Sequence, residues 1–256
     1  MKGKALKLLS LVLVVILALT CFFACKDDEP TPKPDDNGGN ITPTPTPTPE
    51  QKDYVEIADE ATLLEVAGKI AANTDGYATK TFKLTADIVL TKDFAPITGF
   101  SGVFDGQFHT ISGLNIDSDL AEVGLFSTLK NATVRNLTVV ATGVANANPE
   151  ANIGILAGSA ENSAISCVTV DGTLTLGGSR AVAGGVVALV KNTTILNVKS
   201  TATLAGAGSV AGGVVAKLDE GAMLVNAYSA ATVSATAATK AAAVAEKVTD
   251  SAVAYV

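Results

Sequence analysis

The sequence predicts an all-β fold, a single-stranded parallel β-helix (a solenoid) closed at its start by an α-helical cap. Three observations carry this. An apolar phrase punctuated by glycine is written twice, VAGGVVALVKNTTILNV at 182–198 and VAGGVVAKLDEGAMLVN at 210–226, 28 residues apart. A period of about 30 residues runs through the second half of the chain. Composition agrees: there is no Trp, aromatics make up 5%, and 23 glycines accompany a 48% hydrophobic content of small, β-forming side chains.

The first 24 residues read as an export leader. Lys2, Lys4 and Lys7 precede an apolar run from Leu8 to Ala24, and Ala24-Cys25 is followed by the polar run KDDEP. This resembles a bacterial lipoprotein signal, which implies lipidation at Cys25 and a membrane tether through that lipid. An uncleaved N-terminal anchor and cleavage at Cys21 are the alternatives. Losing the leader lowers Lys+Arg from 18 to 15 against 25 acids, a net charge near −10. Phosphate binding needs a basic face, so nucleic acid is excluded as an expected partner. Cys167 is the one cysteine outside the leader region, which leaves no disulfide framework and no thiol-ligated metal site. Its expected place is a buried small apolar position.

Residues 25–52 read as a surface linker. Seven of nine prolines lie between Pro30 and Pro49, and the TPTPTPTP run admits neither helix nor interior strand. Such a segment is an extended spacer, up to about 70 Å at polyproline pitch. Residues 53–120 hold the helical cap and first coils. DEATLLEVAGKIAAN (59–73) carries Leu63, Leu64, Val66, Ala67 and Ile70 at helical spacing, with Asp59 as N-cap and NTDG as the stop. TFKLTADIVL (81–90) reads as one strand, and FSGVFDGQFHTISGLNI (100–116) as short strands around an Asp105-Gly106 turn.

Residues 121–256 carry the repeats. GLFS (124–127), GILA (154–157), GVVA (185–188), GVVA (213–216) and AAVA (242–245) are spaced by 30, 31, 28 and 29. A second phrase, starting at Asn131, Asn162, Asn192, Gly221 and Asp250, is spaced by 31, 30, 29 and 29. A unit this short cannot bury its own apolar face, and stacked on copies of itself it can. In the last copy AATKAAAVAEKVTDSAV replaces both glycines with alanine, which leaves a degenerate coil or a closing helix open. The chain stops within the second phrase, as a piece of a larger surface protein would.

FSGVFDGQFHTISGL, VGLFSTLKNATVRNLTV and the repeated GG-V-V phrases resemble the GLUG-motif bacterial surface proteins, including repeat regions of adhesins and IgA-specific metallopeptidases. The resemblance covers residues 54 to about 230. It implies a right-handed β-helix at the cell surface and no catalytic residues.

The stacking register nominates two columns. Asn136, Cys167, Asn197 and Asn226 share one position, expected as an amide ladder at an inward bend with Cys167 as its break. Lys130, Glu161, Lys191 and the pair Asp219-Glu220 share a turn position and alternate in sign, which predicts weak ion pairs between neighbouring coils. Catalysis by carboxylates needs convergent acids with a basic partner. The acids after residue 120 scatter in register, and Arg135 and Arg180 do not coincide with them, so the sequence predicts a non-enzyme without cofactor. His109, the sole histidine, is expected to pack on its turn and bond to backbone. Asn131, Asn136 and Asn192 begin glycosylation-type triplets but read as turn asparagines. The expected function is a tethered adhesion or interaction scaffold with a host, cell-surface or polysaccharide partner. A carbohydrate-binding or carbohydrate-active accessory protein is the second reading, weakened because Tyr228 and Tyr255 are the only rings after Phe126.

Overall fold

The computed structural model describes residues 52–207, 210–235, 240–248 and 252–254; the leader, Cys25, the Thr-Pro spacer, Asp250 and Tyr255 lie outside them. The body is a parallel β-solenoid of about six coils with a small helix at its N-terminal side. Every strand pairing among the described residues is parallel, and successive coils form three sheets. The first is the long sheet, built from Thr133–Asn146, Ala164–Gly177, Thr194–Ser200, Met223–Ser229, Ala252–Ala254 and their partners. A second joins Phe126–Lys130, Ala157–Glu161, Val187–Lys191, Val215–Leu218 and Ala245–Val248. The third joins Glu122–Val123, Asn152–Gly154, Val182–Gly184, Val210–Gly212 and Lys240–Ala242.

Stacking follows the second phrase of the repeat. Thr133 pairs with Ala164, Ala164 with Thr194, Thr194 with Met223 and Met223 with Ala252, the spacing that the sequence gives. The inward column Val134, Ile165, Ile195 and Leu224 is wholly buried. Val186 and Val214 lie on top of one another, with Val186 N–H bonded to Val214 C=O at 2.8 Å. The 28-residue step between the two GGVVA phrases holds, Gly184 pairing with Gly212, but the register is corrected by one residue on either side of it: Gly154 pairs with Gly184 rather than Gly185, and Ala242 with Gly212 rather than Gly213. The chain folds back tightly between the second and third sheets, and a Cβ on Gly184 or Gly212 would run into the carbonyl of Val187 or Val215.

The cap is helix α1, Glu60–Ala71. Asp59 opens it by accepting from Thr62 N–H at 2.8 Å and from the Thr62 hydroxyl at 2.6 Å. Leu63, Val66 and Ile70 enter the core, whereas Leu64 faces solvent. TFKLTADIVL is two strands, Thr81–Leu84 and Ile88–Val89, because the chain turns a corner between them. Below the first repeats the core is aromatic: Phe100 stacks on Phe126 with centroids 5.1 Å apart, and Phe104 meets Phe126 edge-on at 5.5 Å. Beyond Phe126 it thins to Val, Ile, Leu and Ala. The last copy is a coil, since Lys240–Ala242, Ala245–Val248 and Ala252–Ala254 all join the sheets.

Candidate interaction face

The most built-up polar site is at the Asp105-Gly106 turn. Asp105 is 2% exposed. Its carboxylate accepts from Gln107 N–H at 3.0 Å, Asn136 Nδ2 at 3.0 Å and Arg135 Nε at 2.8 Å. Burial pushes its pKa up, but these three donors outweigh it and hold the group below its ordinary range. Arg135 therefore does meet an acid, one that stands before the repeats. Register places Glu56, Lys83, Asp105 and Arg135 in one column, charges alternating coil by coil.

This network fixes the next turn. Gln107 and Phe108 both have left-handed backbone, φ 49° and 63°. That conformation is costly for a bulky side chain. It is held by Phe108 N–H to Asn136 C=O at 2.8 Å and His109 N–H to Gly106 C=O at 2.7 Å. The result is a Phe108 ring 64% exposed to solvent. The His109 ring meets a carboxylate rather than backbone: Nδ1 lies 3.1 Å from Asp87 Oδ1. Asp87 also accepts from Thr110 N–H, and that bond, followed by His109, lowers its pKa.

The predicted ladder residues do occupy one bend. Asn136, Cys167, Asn197 and Asn226 all have φ between 52° and 53°, a conformation asparagine tolerates best among non-glycine residues. Their side chains lie half-buried to exposed, not in the core, because the bend points them outward. Asn226 Nδ2 donates to Asn197 Oδ1 at 2.6 Å, while Asn136 turns to Asp105. Cys167 is half-buried rather than buried, since it fills this outward position. A second left-handed column holds Asn131, Asn162, Asn192 and Gly221; the Asn192 amide donates to Asn162 Oδ1 at 2.5 Å. That ladder was open to the same spacing argument.

In the charge column Glu161 is level with both Lys130 and Lys191. Among the described residues only Lys130–Glu161 closes, at 3.8 Å. Lys191, Asp219 and Glu220 form no ion pair within 4 Å there, because long side chains at an exposed turn gain little by closing. Arg180, in contrast, pairs with Glu150, one coil away, which corrects the expectation that it meets no acid. Glu122 is a further group that the sequence does not single out. Its Oε1 accepts from Asn152 Nδ2 at 2.8 Å, its Oε2 is buried with no hydrogen-bond partner among the described residues, and burial raises its pKa.

On the outer surface, Thr110, Thr138, Thr169, Lys199 and Tyr228 form one register column. Tyr228 is 59% exposed, with Lys199 Nζ 5.9 Å from its ring centre. Phe108 lies two residues before this column's first member, so exposed rings stand at both of its ends. Among the described residues no three His, Cys, Asp or Glu side chains gather as a metal site, and no helix there is long and apolar enough to cross a membrane.

No known family model matches the chain, and no solved structure does. One similar protein is halomucin of Haloquadratum walsbyi (strain DSM 16790 / HBSQ001), 32% identical over 143 residues. That stretch covers 48% of this chain and 2% of halomucin.

Proposed function

We propose that this protein is an exported, lipid-anchored surface scaffold that binds a partner without catalysing a reaction. Phe108 carries the reading. An aromatic ring kept in solvent and in left-handed backbone by the hydrogen-bond network of a buried carboxylate is a pre-organised contact, for which a partner contributes the missing burial. The lipoprotein-type leader, the Thr-Pro spacer and the resemblance to GLUG-motif surface proteins support the location, and the solenoid suits display of a long regular face.

A carbohydrate ligand is the second reading, favoured by the exposed rings of Phe108 and Tyr228, since sugars bind flat on aromatic faces. An array of glycans and extracellular-matrix proteins probed with the full chain separates the two. A protein ligand lost on Phe108→Ala supports an adhesion scaffold; a glycan lost on Phe108→Ala or Tyr228→Ala supports the second reading. Turnover of a saccharide overturns the non-enzymatic assignment. Tethering is tested separately: labelled fatty acid is incorporated by the wild type and not by Cys25→Ala.

A further inference from the structure

We infer that the outer column from Thr110 to Tyr228, with Phe108 beside its first rung, is a binding track for an uncharged polysaccharide laid along the solenoid axis. The inference deepens the carbohydrate reading and rests on Phe108 being a contact residue. Thr110, Thr138, Thr169, Lys199 and Tyr228 stand on successive rungs of the long sheet. At about 4.8 Å per rung the column is about 19 Å long. Exposed rings mark its two ends, Phe108 at 64% and Tyr228 at 59%.

The groups between the rings are polar and not used by the fold. The three threonines are half-buried, and among the described residues their hydroxyls make no hydrogen bond within the chain. Lys199 is exposed, has no acid within 4 Å among the described residues, and places its ammonium 5.9 Å from the Tyr228 ring centre. Beside Phe108, the ionised Asp87 accepts from His109 Nδ1, so in the neutral imidazole Nε2 is an acceptor. The track therefore offers a ring, an acceptor, three hydroxyls, a cationic donor and a second ring.

A peptide strand does not suit this surface. The strands through Thr138, Thr169 and Lys199 are paired on both sides, so their backbone groups are occupied and none is left for strand addition. Stacked hydroxyls between two rings suit a chain of pyranoses, whose hydroxyls bond at the ring edge while the C–H face lies flat on an aromatic ring. Such a chain, when extended, repeats at close to the rung spacing, so about four sugars reach from Phe108 to Tyr228. Charge narrows the class further. The chain has a net charge of −7 and Lys199 is the one cation of the column, so a polyanion is repelled. Lys199 then serves as a donor to sugar hydroxyls.

The test is calorimetric titration of the full chain, in a detergent without a sugar headgroup, with cello-, manno- and xylohexaose, their disaccharides and hexagalacturonate. At least one neutral hexaose is expected to bind, and its disaccharide at least about tenfold more weakly, because the short chain reaches one ring alone. Tyr228→Ala is expected to weaken hexaose binding about tenfold. Thr138→Val and Thr169→Val keep the β-branched shape and are each expected to weaken it about threefold, with an unchanged far-UV circular dichroism spectrum. Binding that is lost in Phe108→Ala yet unchanged in Tyr228→Ala and Thr138→Val overturns the track and leaves Phe108 as a contact. Binding unchanged in Phe108→Ala overturns both. No hexaose bound at about 1 mM, or hexagalacturonate bound more tightly than every neutral sugar, overturns the track alone.

Discussion

Replacing Asp105 by alanine removes a buried acceptor from three donors at once. Two are neutral, Gln107 N–H and Asn136 Nδ2, and the third is Arg135 Nε at 2.8 Å. With about 1 kcal/mol for each neutral bond and about 2 kcal/mol for the charged one, the gross loss is about 4 kcal/mol. The Arg135 side chain is 47% exposed and can return to water, which brings the expected cost to about 3 kcal/mol. Asp105→Asn keeps an oxygen for the neutral donors and forfeits the charge, so about 1 to 2 kcal/mol is expected. Urea unfolding followed by circular dichroism at neutral pH measures both. The native carboxylate is held below its ordinary range, so its contribution is present above about pH 4 and is lost as pH falls through the depressed value. Asp105→Asn should flatten that acid limb. Equal costs for the two substitutions, or less than about 1 kcal/mol for Asp105→Ala, would refute the view that this network fixes the Phe108 turn.

Glu122 works in the opposite sense: burial raises its pKa, so the folded state holds its proton longer and stability falls as pH rises from the ordinary carboxylate range through the raised value. Glu122→Gln should stabilise the protein at neutral pH and not at acid pH, measured as a shift in thermal midpoint. Asn197 has φ 53°, so Asn197→Ala should cost about 1 to 2 kcal/mol and Asn197→Gly less, although both lose the amide bond to Asn226. Lys130→Ala should change unfolding free energy by less than about 0.5 kcal/mol, because the Lys130–Glu161 pair is exposed and 3.8 Å long.

What the sequence reveals and hides follows from where its period is regular. The second phrase carries asparagine at the left-handed turns, a residue choice the backbone dictates, and its register is legible to the residue. The first phrase contains tandem Gly184-Gly185 and Gly212-Gly213, two equivalent choices; a Cβ on any of the four would meet a backbone carbonyl, and only the strand pairing distinguishes them. Before residue 120 the coils are unequal: Phe82 lies over Val55, Phe104 over Phe82 and Val134 over Phe104 at intervals that never repeat. The charged column of Glu56, Lys83, Asp105 and Arg135 is hidden for that reason. Leu64 fits the apolar spacing of α1 yet faces water, since the helix meets the stack along a narrower stripe. Phe108 is the least legible residue of all. Nothing in its propensity announces left-handed backbone, which the buried carboxylate three residues earlier imposes on it through Gln107 and Asn136.

The central claim, that successive rungs lie directly above one another, is tested most directly by distances along one surface column. Spin labels at Thr110 and Lys199, and at Thr110 and Tyr228, span three and four rungs of the Thr110, Thr138, Thr169, Lys199, Tyr228 column. The account predicts backbone separations of about 14 and 19 Å, differing by the single strand spacing of about 4.8 Å. Separations that fail to increase by one rung between the two pairs, or that exceed these by tens of ångströms, would contradict it.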